Sequence, residues 1–376
     1  MKVKLESFLQ EVSEKTTENN QYQVLTSSKV GLYLQSDYFN KQVASKDNKG
    51  YKIIKKGQFT YRAMSDTGEF FPNMLECTDI GIVSPAYPVF EIVKPVIIPE
   101  YLKYYFKSNG FQQSISSFAQ GSTRTSIKYG KLKTVSMDLP NLEEQKRVIA
   151  ILDTIHNIID SSKQELKMFD DLIKARFVEM FGDININDKN WNCEPLGELC
   201  TIVRGGSPRP IEQFLGGDVP WIKIGDATDG DNIYLNSTKE HIIQEGVKKS
   251  RLVKPGSLIF ANCGVSLGFA RIITFEGCIH DGWLAMEDID ERLDRVFLLQ
   301  ALNQMTEHFR TIAPAGTQPN LNTAIMKAYM QVIPPIELQR DYIRFVRQVD
   351  KSKVAVQKAL DETQTLFDSL MQEYFG

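Results

Sequence analysis

Several absences narrow the possibilities first. The five cysteines, Cys77, Cys193, Cys200, Cys263 and Cys278, are scattered and form no C-x-x-C pair, and the four histidines are dispersed. This argues against a zinc site and makes buried free thiols the expectation. No apolar run approaches the roughly 18 residues that a membrane span requires. The start, Met1-Lys2-Val3-Lys4, leads into a charged segment and not an apolar signal core, so a cytoplasmic protein is expected. No glycine-rich phosphate loop follows a strand. Gly264-Val265-Ser266-Leu267-Gly268 fits the G-x-S-x-G pattern of a hydrolase elbow, which needs a helix after its second glycine. The following Phe269–Phe275 reads as a strand instead, which excludes that chemistry.

What remains is an ordinary globular composition, 42% hydrophobic and 24% charged, in a chain of 376 residues. Such a length holds about two to three domains. The net charge is −3, but its distribution is uneven. Residues 1–140 carry 18 basic and 13 acidic side chains, whereas residues 191–335 carry 13 and 17. A basic first lobe suits an acidic partner such as nucleic acid. The second would need a local basic patch to do the same.

The chain also repeats itself. The stretch from Leu142 to Gly182 recurs as Ile336 to Gly376. Both copies follow a proline and end in Phe-Gly, and Gln145 and Gln339 match at the same offset of 194. Pro140 and Pro335 match at 195, which implies one residue lost before Gln339. This period is too long for a solenoid repeat. Steps of four and three residues from Val148 pass through Leu152, Ile155, Ile159, Ser162, Leu166, Phe169, Ile173, Arg176 and Met180. Shifted by 194, they pass through Tyr342, Val346, Val349, Lys353, Val356, Leu360, Thr363, Phe367, Leu370 and Tyr374. Eight positions of ten are apolar or aromatic in each copy, a heptad seam. The polar exceptions do not coincide, as suits a specified two-helix coiled coil. Acidic pairs such as Glu143-Glu144 and Asp170-Asp171 should then lie on exposed faces or make partner contacts, not carry catalysis.

Before each rod the order is strands, then helices, then a polar loop. Tyr51–Ile54, Ile80–Val83, Trp221–Ile224, Ser257–Phe260 and Phe269–Ile273 read as strands. Helices are expected from Pro99, from Phe111 to Phe118, and from Asp294 to about Thr311. A lysine-rich strand is expected after the first polar loop. Residues 183–194, polar and asparagine-rich, read as a linker.

Two stretches carry a resemblance. They are Gly121-Ser122-Thr123-Arg124-Thr125-Ser126 through Leu139-Pro140-Asn141-Leu142-Glu143-Glu144-Gln145, and Gly316-Thr317-Gln318-Pro319-Asn320-Leu321-Asn322 through Pro334-Pro335-Ile336-Glu337-Leu338-Gln339. With Arg204-Gly205-Gly206-Ser207-Pro208 and Pro220-Trp221-Ile222, the chain resembles the specificity (S) subunits of type I restriction–modification systems over essentially its whole length. It departs from their pattern at Thr125 and Ser126, where leucine and asparagine are usual. The first half also lacks the Gly-Gly-Ser-Pro start, so the two halves should read different half-sites.

The resemblance implies an α+β fold: two pseudo-repeated target-recognition domains, residues 1–141 and 195–335, joined by an antiparallel two-helix coiled coil of residues 142–182 and 336–376. It implies a non-catalytic subunit that recognises double-stranded DNA at an asymmetric bipartite site. It directs methyltransferase (M) subunits, expected as two copies, and endonuclease/translocase (R) subunits. No cofactor is expected on this chain; S-adenosylmethionine, ATP and Mg would sit on the partners. Phosphates take Lys, Arg, Ser and Thr, and base edges take Arg, Asn, Gln or Lys. On that chemistry the first domain offers Lys46, Lys49, Lys52, Tyr61, Arg62, Ser122, Thr123, Arg124, Ser126 and Lys128. The second offers Arg204, Ser207, Arg209, Lys223, Asn262, Ser266, Thr317, Gln318 and Asn320. Gly121 and Gly316 are expected as turn formers.

Two rivals belong to other classes. A fused restriction–methylation enzyme would need the missing cofactor loop, and Ile333-Pro334-Pro335-Ile336 lacks the leading Asn or Asp of an amino-methyltransferase motif. A scaffold binding only proteins would leave DNA unprotected in a footprint.

Overall fold

The structure is a computed structural model that describes residues 2–35, 47–118, 125–228, 233–264, 266–314 and 320–376. The chain forms two compact units. One comprises Met1–Gln164 with Gln357–Gly376; the other comprises Glu165–Val356. Two helices of 40 residues, Leu142–Phe181 and Ile336–Phe375, each begin in one unit and end in the other. Neither contains proline or glycine, so no residue type interrupts the backbone ladder. Asn141 accepts the Glu144 N–H at 2.9 Å and caps the first long helix.

The first unit is built on a four-stranded sheet ordered Leu9–Val12, Val89–Ile92, Phe59–Thr60 and Asn73–Met74. Lys52–Lys55 pairs separately with Ile80–Val83. Two helices, Pro99–Lys107 and Asn109–Ser116, cover the sheet, and Ser108 caps the second through its hydroxyl. An aromatic core of Phe59, Tyr61, Phe70, Phe90, Phe106 and Phe111 results, with Val148 and Leu152 of the first long helix buried beside it. Near the end of the second long helix, Phe367, Leu370 and Phe375 pack against the same core. Gly110 is needed there, because a Cβ would lie 2.1 Å from the Phe375 carbonyl oxygen.

The second unit has a five-stranded sheet ordered Thr201–Arg204, Trp283–Glu287, Leu258–Ala261, Ala270–Ile273 and Tyr234–Leu235. A four-stranded sheet is ordered Glu240–Ile242, Leu215–Ile222, Gly277–Ile279 and Arg251–Val253. The long helices contribute Ile173, Phe177, Phe181, Tyr342, Val346 and Val349 to its core. Within this unit they run antiparallel. Asp170 meets Lys353 at 2.8 Å, and Tyr342 lies edge-on to both Phe177 and Phe181 at 5.5 and 5.4 Å between centroids.

Several expectations require correction. Pro334, not Pro335, is the counterpart of Pro140: each lies five residues before its glutamine, and each accepts a bond from it. Lys128–Lys133 is not a strand. Tyr129–Leu132 is a short helix, and the strand that follows is Ser136–Asp138, paired with Lys2–Lys4. The expected Asp294–Thr311 helix is two helices, Arg295–Gln304 and Thr306–Ile312. The strand containing Trp221 ends at Ile222. Residues 183–194, expected as a linker, are bonded to the end of the first long helix and to a strand. The Trp191 indole donates to the Phe181 carbonyl (2.8 Å), Lys189 Nζ donates to the Glu179 carbonyl (2.7 Å), and Asn192–Pro195 pairs with Met330–Ile333. These donors satisfy the last carbonyls of the first long helix, where a cation is favoured. Asp170 is half-buried against Lys353, not on an exposed face. All five cysteines are free, but only Cys200 and Cys278 are buried; Cys193 and Cys263 are half-buried and Cys77 is exposed.

All twenty seam positions, including Val148, Leu152, Ile155, Ile159, Leu166, Phe169, Ile173, Met180, Val346, Val349, Val356, Leu360, Phe367 and Leu370, are buried or half-buried. The seam missed Phe177 and Phe181, which are fully buried. They lie one position beyond Arg176 and Met180, where the second core widens the apolar face.

Candidate nucleic-acid interface

Each long helix is anchored at its start by a buried glutamine. Gln145 Oε1 accepts the Ile98 N–H at 2.8 Å, and Nε2 donates to the carbonyls of Val96 and Pro140 at 3.0 Å. Gln339 Oε1 accepts the Asp294 N–H at 2.8 Å, and Nε2 donates to the carbonyls of Arg292 and Pro334 at 2.8 and 2.7 Å. Each amide therefore bonds the segment leading into the sheet-covering helix and the proline turn before the rod. The polar loop of each unit lies between those two anchored points in sequence. Of the expected DNA contacts, Ser122, Thr123, Arg124, Thr317 and Gln318 of these loops, with Gly121 and Gly316, lie outside the described residues, as does Lys46 earlier in the chain.

In the second unit, one end of the five-stranded sheet carries Arg204, Ser207, Arg209, Asn262, Ser266 and Asn320, and Lys223 follows a strand of the four-stranded sheet. The chain leaving strand Thr201–Arg204 must cross the turn 280–282. Gly205 N bonds the Trp283 carbonyl and Gly206 N the Ile279 carbonyl. A Cβ on Gly205 would sit 2.1 Å from the His280 carbonyl oxygen, and one on Gly206 would sit 2.8 Å from that of Lys249. The Gly-Gly pair is thus required by close backbone approach. It delivers Ser207 Oγ to Asp281 Oδ1 at 2.9 Å and Arg209 Nη2 to Oδ2 at 3.4 Å, while Arg204 Nε donates to the Asp281 carbonyl at 3.1 Å. His280 Nε2 lies 3.0 Å from Asp281 Oδ1, and its Nδ1 accepts the Gly282 N–H. Lys223 follows Ile222, whose carbonyl accepts the His280 N–H, and pairs with Glu240.

This polar cluster shifts its own titrations. Burial lowers the His280 pKa; Asp281 opposes that, and the charges of Lys223, Arg209 and Arg204 reinforce it. Burial alone would raise the Asp281 carboxyl. The Ser207 bond and the charges of His280, Arg204 and Arg209 outweigh it and hold Asp281 below its usual range. Neutral His280 therefore presents Nε2–H to an ionised Asp281.

Asn262 is corrected from a DNA contact to a brace. It is fully buried, its amide donates to Asn320 Oδ1 and the Leu321 carbonyl, and its carbonyl accepts the Leu321 N–H. It holds the exit of the second polar loop against the sheet end. Asn320 is half-exposed there, and Ser266 lies half-exposed on the turn leaving Asn262.

In the first unit the expected residues divide. Ser65 pairs with Thr125 and Met64 with Ser126, and Ile127 N bonds the Ala63 carbonyl. Arg62 and Lys128, both exposed, thus leave adjacent chains next to the exit of the first polar loop. Tyr61 is a core residue and not a DNA contact: it is fully buried and its hydroxyl donates to the Ile127 carbonyl at 3.1 Å. Lys49 is exposed, but it belongs to another part of the unit, the turn before strand Lys52–Lys55. Lys52 is largely covered and lies 3.8 Å from Glu11. Sequence reasoning missed Lys29, which stands over the Phe71 ring at 5.3 Å and shares with Arg62 a cleft of about 290 Å³. It also missed His280 and Asp281; the Asp-Gly turn before a strand was the available signal.

The family profile described as "Type I restriction modification DNA specificity domain" matches residues 6–168 and 188–363. The chain belongs to this type I restriction–modification specificity family. The matched segments each contain a sheet, its covering helices, a polar loop and the glutamine-anchored start of a long helix. Relatives include the MjaIX specificity subunit of Methanocaldococcus jannaschii, 22% identical over 302 residues, covering 74% of this chain and 69% of that one. The StySPI specificity subunit of Salmonella potsdam is 22% identical over 296 residues, covering 73% and 64%. The chain thus matches about two thirds of the length of these curated relatives. Among solved structures, a chain of a type I restriction–modification complex shares the fold with a TM-score of 0.62 at 18% identity, covering 100% of this chain and 97% of that one. The S subunit from M. genitalium does so at 0.53 and 16% identity, covering 100% and 96%. Family membership makes the chain a specificity component without catalysis of its own. No helix among the described residues is long and apolar enough to cross a membrane.

Proposed function

We propose that the chain recognises an asymmetric, interrupted DNA sequence. One half-site is read by residues 1–141 and the other by residues 195–335. The two long helices, residues 142–182 and 336–376, pair as an antiparallel coiled coil that sets the gap between half-sites. At about 1.5 Å per residue each rod is roughly 60 Å long. The protein acts in the cytoplasm of a bacterium or archaeon. It directs two methyltransferase (M) subunits, which carry S-adenosylmethionine, and endonuclease/translocase (R) subunits, which use ATP and Mg.

The observation that carries this reading is the repeated glutamine anchor. The same three-bond device fixes a long helix to a recognition unit twice, in two segments that both match the family. A rod rigidly joined to each unit can transmit spacing; a flexible one cannot. DNA contacts on the first unit are drawn from Lys46, Lys49, Arg62, Ser126 and Lys128, and from Ser122, Thr123 and Arg124 of the loop. On the second they are drawn from Arg204, Ser207, Arg209, Lys223, Ser266 and Asn320, and from Thr317 and Gln318. The surface arginines and Lys223 supply the local basic patch that an acidic second unit needs.

A footprint of the chain with its M subunits on genomic fragments tests this. Two protected patches separated by unprotected base pairs are expected. A single continuous patch, or none, would contradict the proposal.

A further inference from the structure

The sheet end of the second unit that carries Arg204 and Arg209 has a carboxylate between them. Asp281 receives Ser207 Oγ, His280 Nε2 and Arg209 Nη2, while its carbonyl receives Arg204 Nε. The donors come from two segments more than 70 residues apart. A surface that only needed to attract phosphate would gain nothing from a negative charge among its arginines. We propose that Asp281 is a specificity gate: its carboxylate withholds Arg209 from arbitrary DNA backbone and yields it to a duplex whose groove presents a base amine to that carboxylate, while Arg204 stays on the main-chain carbonyl. This rests on the DNA-binding reading above.

The geometry separates a fixed part from a movable part. The carboxylate is fixed by Ser207 at 2.9 Å and His280 at 3.0 Å, and its side chain is only 30% exposed. The Arg209 contact is longer, 3.4 Å, and that side chain is 81% exposed. Such an exposed pair is weak and easily exchanged. Arg209 can therefore swing to a phosphate while Asp281 stays in place.

The chemistry then discriminates between DNA sequences. Phosphate oxygens have no donor and are repelled by the carboxylate. Cytosine N4 and adenine N6 carry amine donors in the major groove, and a carboxylate accepts from them. A duplex with the right base compensates Asp281 for the departing arginine; a wrong one leaves two like charges together. The gate thus converts sequence-independent attraction into a difference between sequences, which is what specificity requires.

The test uses the full chain assembled with its M subunits. Binding is measured against the complete site and against a duplex with only the second half-site scrambled, from about 50 to 200 mM salt. For Asp281→Asn, binding to the scrambled duplex should tighten about 10-fold, with the salt slope steeper by roughly one unit. Discrimination at the second half-site should fall accordingly and discrimination at the first should persist. Equal weakening on both duplexes would make Asp281 a mere brace and overturn the proposal, as would an unchanged ratio. The variant Arg209→Ala leaves the brace intact and tests the gate separately. It should weaken the complete site more than the scrambled one; equal loss would count against the gate. If the unsubstituted assembly bound no duplex selectively, the DNA-recognition reading itself would fail.

Discussion

Gln145 and Gln339 show how a single side chain can position a whole element. Each buried amide uses one acceptor and two donors on backbone groups of remote segments, so truncation removes the partner of three polar groups. Gln339→Ala should cost about 2–4 kcal/mol by denaturant unfolding, and Gln339→Glu should be worse than an isosteric change suggests. A loss below about 0.5 kcal/mol would show that the anchor is dispensable. His280 makes a second prediction at this scale. Its folded pKa lies below the ordinary 6.5, so as pH falls the unfolded chain takes the proton first. Stability conferred by neutral His280 is present above that value, is lost as pH falls through it, and stops falling below the folded pKa. Melting curves from about pH 7.5 to 5.5 should show a smaller loss in His280→Gln than in the parent. Equal losses would remove His280 as the cause. The glutamines were visible in the sequence as a repeat, but their role was not, because their partners are backbone atoms of remote segments. Tyr61 and Asn262 were misread for a related reason: a polar atom on a side chain does not reveal whether its partner is solvent, DNA or the chain's own carbonyl.

At the scale of elements, the long helices were the most legible feature. Their seam is periodic over ten positions, and periodicity survives whatever the tertiary partner is. The β-regions were less so, since most of the strands are short, give little pattern, and take their register from distant partners. Lys353 stood out as a charge within the seam, and the structure supplies its reason. It pairs with Asp170 at 2.8 Å, with 16% and 30% of the two side chains exposed. A half-buried pair of this kind selects register more than it adds stability. Lys353→Ala should destabilise the second unit by about 1–2 kcal/mol, because Asp170 is left without its counter-charge. The double variant Lys353→Met with Asp170→Leu should recover most of that. Failure of the double variant to recover would mean that the pair contributes attraction rather than register.

At the scale of the whole molecule, duplication was legible, while the composition of the units was not. Reading in order placed each rod after its domain. The structure instead closes the first unit with the last twenty residues of the chain, Gln357–Gly376, so each helix is shared. That arrangement gives the spacer hypothesis a direct handle. Inserting one heptad into each rod keeps the seam in phase, so the gap between half-sites should lengthen with both half-sites unchanged; an unaltered gap would refute the spacer role. The central claim, one unit for each half-site, is tested most directly by exchanging residues 195–335 for the corresponding segment of a relative with a different DNA site. The genomic methylation pattern is then read in a host that also carries the M subunits. The expected result is a new second half-site beside an unchanged first half-site at the original spacing. Change in both half-sites, or in neither, would contradict it.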